Sequence, residues 1–146
     1  MLTDGDLPAL WRDFDIPGVI DVHTHFLPEP VMAKVWAYFD AASANYGVDW
    51  PIEYRWADDD RLAHLRAMGI RRFTSLVYAH KAGMAQWLST WSLDFAQQVP
   101  ECLPTATFYP EAGVGDYVAQ SLAAGALIYK VHLQVSDFDP RDPMLD

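Results

Sequence analysis

The chain has 146 residues, and 51% of them are hydrophobic, which is enough apolar material for one core and too much for a disordered chain. Its formal net charge is −10 with only 10 Lys and Arg, which argues against a nucleic-acid partner, because phosphate binders present clustered basic residues. The lone Cys102 excludes an internal disulfide and a cysteine-based zinc site, and Pro100-Glu101-Cys102-Leu103-Pro104 offers it no activating base.

Residues 1–17 contain four aspartates and no long apolar run, so they read as a lead-in that matches neither a secretory signal nor a membrane span. A cytoplasmic location without a membrane partner is the expectation. Residues 18–22 are apolar and β-branched and predict a buried first strand. The run Ile20-Asp21-Val22-His23-Thr24-His25 closes it. In an extended chain, i and i+2 share a face roughly 6.6 Å apart, so His23 and His25 can converge on one metal ion. Zinc accepts neutral imidazole nitrogen, and this pair would supply about half of a catalytic shell of three protein ligands and water. Asp21 falls on the same face, where it would orient a ligand ring or nearby backbone. A chance surface pair would leave the same His-x-His trace.

Pro30 opens a predicted helix over 30–44 with Val31, Val35, Tyr38, Phe39 and Ala42 as its apolar stripe. Residues 46–56 carry Gly47, Pro51 and several aromatics without a period and read as a loop. Asp58 or Asp59 would cap a short helix bearing Leu62, Leu65 and Met68 and stopping at Gly69. A second strand follows over 70–78. A helix over 83–98 has Met84, Trp87, Leu88, Trp91 and Phe95 at helical spacing, its tryptophans assigned to the core. A third strand over 103–109, a helix over 114–124 and a fourth strand over 126–135 complete the pattern. Strands alternating with helices predict right-handed crossovers and a parallel α/β sheet.

Such sheets carry their reactive groups at the C-terminal ends of the strands. Those ends hold His23 and His25, then Tyr78, His80 and Lys81, then Phe108, Tyr109 and Glu111, then Lys130 and His132. Four of the five histidines thus gather at one predicted rim, and His64 alone is left mid-helix as a solvent-facing or interface residue. A nucleotide-binding doubly wound sheet is disfavoured, since no glycine-rich phosphate loop follows any strand.

On these residues the chain resembles the amidohydrolase superfamily of metal-dependent (β/α)8 TIM barrels, whose first strand ends in a His-x-His pair like that of Val19-Ile20-Asp21-Val22-His23-Thr24-His25. The long insertion after that strand, the run Leu65-Arg66-Ala67-Met68-Gly69-Ile70 and Lys130-Val131-His132 look like the amidohydrolase-related branch that includes aminocarboxymuconate-semialdehyde decarboxylase-like proteins. The resemblance covers essentially everything after Pro17. It implies that His23 and His25 are metal ligands, with zinc the usual occupant. Lys130 matches a lysine that is carboxylated in parts of the superfamily, a modification not assigned here. His132 would contact substrate or metal, or be a packed, hydrogen-bonded histidine, and His80 has the same alternatives.

The family's further histidines and its catalytic aspartate come from later strands, so the resemblance places that aspartate beyond Asp146. The resemblance therefore implies the N-terminal half of a barrel: one partial domain with strands 1 to 4 over 18–135 and a connecting loop over 136–146, where Asp137, Asp139, Asp142 and Asp146 form an acidic tail. A half-barrel leaves unpaired edges, and this implies either a missing C-terminal half or a homo-oligomer. The implied activity is hydrolysis by metal-activated water on a carbonyl-type carbon of a small-molecule substrate. Decarboxylation of a small unsaturated or aromatic acid is the alternative, and an inert half-barrel or assembly module is the alternative of another class. Tyr46, Trp50, Tyr54 and Trp56 would suit a planar organic acid, with Arg55 pairing its carboxylate; the same aromatics would equally cover a barrel mouth or an oligomer contact.

Overall fold

Apolar stretches bounded by glycine and proline become short strands in this chain, and the longer stretches of helical period become helices. The computed structural model describes residues 2–145 and orders them as α1 (Leu7–Asp13), β1 (Val19–Asp21), α2 (Glu29–Asp40), α3 (Ala42–Tyr46), α4 (Asp58–Ala67), β2 (Ile70–Thr74), α5 (Ala85–Gln98), β3 (Cys102–Leu103), β4 (Thr105–Ala106), α6 (Val114–Ala123), β5 (Ile128–Tyr129) and α7 (Leu133–Ser136). Single 3-10 turns lie at Asp4–Asp6 and Pro143–Leu145. The chain is a mixed α/β protein with short parallel strands. Asp146 of the acidic tail lies outside the described residues.

One sheet has the order β1-β2-β3 and the other pairs β4 with β5. The β2–β3 pair is parallel with Phe73 opposite Cys102 and Thr74 opposite Leu103, and β4–β5 is parallel with Thr105 opposite Ile128 and Ala106 opposite Tyr129. Only Pro104 separates β3 from β4. The expected strand 103–109 therefore divides, because proline has no N–H to give to a ladder. The Pro104 carbonyl still accepts from Leu127 N (2.9 Å) and Ile128 N (3.3 Å).

Contacts gather the residues into two compact units, one comprising Met1–Ile20 with Pro28–Arg71 and the other Asp21–Leu27 with Arg72–Asp146. In the first unit Met32, Ala42 and Leu62 are buried. The lead-in contains α1, and Trp11 Nε1–H donates to the Met68 carbonyl at 2.8 Å. The Trp11 ring occupies the space a side chain at Gly69 would need, with Cδ1 2.8 Å from the Cβ position, and Gly69 has φ +79°. Gly18, at φ +134°, lets the Gly69 carbonyl approach where a Cβ would clash. Both glycines are thus required by conformation and by space. The expected helix 30–44 breaks at Ala41 into α2 and α3. The cap of α4 is Ala57, not Asp58 or Asp59; Asp58, Asp59 and Asp60 occupy its first turn, where the helix dipole favours acids.

In the second unit Phe26 is 1% exposed, stacked on Phe95 with centroids 4.9 Å apart and packed on Phe73 at 5.3 Å. Of the two α5 tryptophans expected in the core, Trp91 is half-buried and stacks on Phe95 with centroids 5.4 Å apart, and only Trp87 turns outward. Ala85, Leu88, Ser89, Ser92 and Leu93 are buried, whereas Trp87 is 49% exposed. The serines are admitted because their hydroxyls bond to backbone: Ser89 Oγ donates to the Thr107 carbonyl and accepts from Thr107 N, both at 3.0 Å, and Ser92 Oγ donates to the Ser75 carbonyl at 3.2 Å.

The second and fourth strands are shorter than expected. After Thr74 the chain leaves the ladder although residues 75–77 are still buried. The fourth strand, expected over 126–135, is reduced to Ile128–Tyr129, ends with Lys130 N donating to the Ala106 carbonyl at 3.0 Å, and gives way to α7. A strand is as long as its partner allows, and β4 offers two residues.

Candidate functional site

The segment after β1 is held by hydrogen bonds rather than by strand pairing. The strand ends at Asp21, and the Asp21 carboxylate accepts the His23 backbone N–H at 2.9 Å, an Asx-type bond that bends the chain at Val22. Asp21 therefore orients backbone rather than an imidazole. Thr24 Oγ1 donates to the Thr74 carbonyl, the Thr24 carbonyl accepts from Leu76 N at 2.9 Å, and Ser75 Oγ donates to the Phe26 carbonyl at 3.0 Å. With Thr24 engaged on one side, His23 and His25 project to the other.

The two imidazole centroids are 5.3 Å apart with planes at 62°. A ring nitrogen about 2.1 Å from a tetrahedral zinc puts its ring centre about 3.2 Å from the metal, so two such rings stand roughly 5 Å apart. The pair fits two adjacent ligand positions. The half-buried His25 donates Nδ1–H to the Leu76 carbonyl at 2.7 Å, since a carbonyl can only accept. A neutral ring protonated there carries its lone pair on Nε2, the arrangement that ligating histidines use. His23 is exposed.

Beyond His25 the aromatic row continues. Tyr78 stands edge-on to His25 at 5.8 Å, and His132 lies 5.3 Å from the same ring at a tilt of 48°. His132 is not a strand residue; it caps α7, its Nδ1 accepting the Val135 N–H at 3.3 Å. That bond occupies Nδ1, so the proton of a neutral His132 ring lies on Nε2. Lys130 and His132, expected at the end of the fourth strand, lie beyond it, because the strand ends at Tyr129. Lys130 is half-buried after β5, and His80 is exposed in a bend after Ala79. Among the described residues no group of three or more His, Cys, Asp or Glu is placed to hold a metal ion.

Arg55 belongs to the other unit, where its guanidinium pairs with Asp40 at 2.6 Å. The ion pair holds the Asp40 carboxyl below the usual carboxylate range and raises Arg55 further. Two features escaped sequence reasoning. Tyr78 was legible only as a strand-end aromatic, not as a ring in contact with two imidazoles. His64, expected to face solvent or an interface, donates Nε2–H to Asp4 at 2.9 Å, and Tyr54 O–H donates to the same oxygen at 2.7 Å. These bonds, Tyr54's first, lower the Asp4 pKa, and the Asp4 bond raises that of Tyr54. The partners are about sixty residues apart, and no local pattern announces them. No helix among the described residues is long and apolar enough to cross a membrane. No family model, curated protein or solved structure matches the chain.

Proposed function

We propose that the chain is a metal-dependent hydrolase of the amidohydrolase type, with His23 and His25 as ligands to a divalent metal, zinc first, and with its parallel strands belonging to the N-terminal half of a (β/α)8 barrel. The observation that carries this is the 5.3 Å imidazole pair whose inner ring is fixed through Nδ1 by the Leu76 carbonyl. When bound, the metal would supply Lewis acidity and a water of lowered pKa for attack on a carbonyl-type carbon of a small substrate.

The protein's own groups prepare that chemistry. The Leu76 carbonyl selects the tautomer of His25, and Asp21 fixes the His23 backbone, so both ligand positions are organised from outside the rings. His132 supplies an N–H donor beyond Tyr78, suited to a carbonyl or carboxylate oxygen of the substrate. Tyr78 sets the spacing between ligand pair and donor.

The test is metal content. Purified chain dialysed against zinc and washed is expected to retain close to one zinc per chain by elemental analysis, falling to trace in His23→Ala/His25→Ala. Equal trace zinc in both proteins would overturn the assignment and favour an inert scaffold or assembly module. With metal established, turnover of ester or amide panels against loss of carbon dioxide from unsaturated acids separates hydrolase from carboxy-lyase.

A further inference from the structure

The first unit carries a face that the metal-site chemistry does not use. Tyr38, Tyr46, Val48 and Trp50 are 46%, 52%, 58% and 59% exposed. Three of these belong to one run of rings: Tyr46 lies 6.0 Å from Tyr38, Tyr38 lies 5.8 Å from Phe39, and Phe39 lies 5.6 Å from Trp50. The Tyr38 and Tyr46 hydroxyls bond to each other, which fixes the outer pair. Large aromatics held rigid and left exposed together are the composition of a binding hot spot rather than of an ordinary surface.

The electrostatics of this face specify the partner. The helix α2 ends here at Asp40 with no basic residue of its own in the last turn, and α3 also ends without one. Asp49 and Glu53 are exposed in the loop that holds Trp50. Arg55, the one cation of that loop, is engaged by Asp40 at 2.6 Å. Ring faces are themselves electron-rich and attract guanidinium and ammonium groups. An anionic ligand would meet like charge on every side, and a second copy of a chain of net charge −10 would bring more of it.

We propose that this face is a docking surface for an arginine- or lysine-bearing segment of a partner protein. Cationic side chains lie over the Trp50 and Tyr46 rings, and the carboxylates of Asp49 and Glu53 complete the contact. Guanidinium suits the face better than ammonium, because it stacks on a ring while it bonds to a carboxylate.

The probe is a short fluorescent arginine–glycine peptide, titrated at about 0.15 M salt so that distant charges are screened. Tyr46→Ala/Trp50→Ala is expected to weaken binding about tenfold. Asp49→Asn/Glu53→Gln, which leaves the rings in place, is expected to weaken it several-fold. Asp94→Asn/Asp116→Asn removes the same charge from exposed positions of the other unit and is expected to change it less than about twofold. The Trp50 indole resonance should shift on binding. Equal losses in all three variants would reduce the effect to bulk charge and overturn the proposal, as would absence of binding. Sedimentation showing a dimer that Tyr46→Ala/Trp50→Ala dissolves would also overturn it, in favour of a second copy as occupant.

Discussion

At the scale of single residues, the clearest lesson is that the imidazoles are governed by main chain. His25 takes its tautomer from the Leu76 carbonyl, and His132 takes the opposite one from the Val135 N–H, so two chemically identical rings become a lone-pair donor and a proton donor. The spacing of His23 and His25 was legible in the sequence, because i and i+2 share a face in any extended segment. The capping role of His132 was not, because it depends on a strand that ends at Tyr129, six residues before the expected end at 135. Cys102 behaves as the small hydrophobe that its neighbourhood implied: burial pushes its thiol from 9.0 up to about 12, and burial likewise pushes Tyr117 from 10.0 to about 12. Between about pH 9 and 12 the folded chain keeps protons that the unfolded chain releases, so stability is full below about pH 9 and declines as pH rises. Urea midpoints should therefore fall between pH 8 and 11, and Cys102→Ala should lessen the early part of that fall. A flat midpoint would contradict the burial of both groups.

At the scale of elements, helices were read well and strands poorly. The periods predicting 83–98 and 114–124 correspond to Ala85–Gln98 and Val114–Ala123, because a helix satisfies its hydrogen bonds within itself. Strand lengths depend on a distant partner, which is why Ile128–Tyr129 and the division at Pro104 could not be read from local apolarity. The inward face of α5 extends beyond its apolar stripe for a related reason: Ser89 and Ser92 count as polar in any pattern, yet the carbonyls of Thr107 and Ser75 make them interior residues, while Trp87 alone of the stripe is exposed. Leu88→Ala is accordingly expected to cost about 2–5 kcal/mol by denaturant unfolding, whereas Trp87→Gln at the 49% exposed position should stay within about 0.5 kcal/mol. The opposite order would restore the tryptophan-lined face.

At the scale of the whole molecule, the α/β class and parallel pairing were legible from the alternation of segments, while the grouping into two units was not, since it interleaves Asp21–Leu27 with residues far along the chain. A net charge of −10 on 146 residues repels itself in the folded state more than in the expanded one. Raising sodium chloride from about 0.01 M to 0.15 M shortens the screening length from about 30 Å to 8 Å and should raise Tm by a few degrees. A Tm that stays level or falls would mean the acidic groups are already locally compensated. Thr24 fastens the peptide between the two histidines, hydroxyl to Thr74 and carbonyl to Leu76, while the rings hang from either side of that fixed point. The arrangement is a clamped fulcrum with two arms: the main chain is pinned at its middle residue, so the exposed His23 side chain has solvent on its outer side while the backbone beneath both rings is tied to its neighbours.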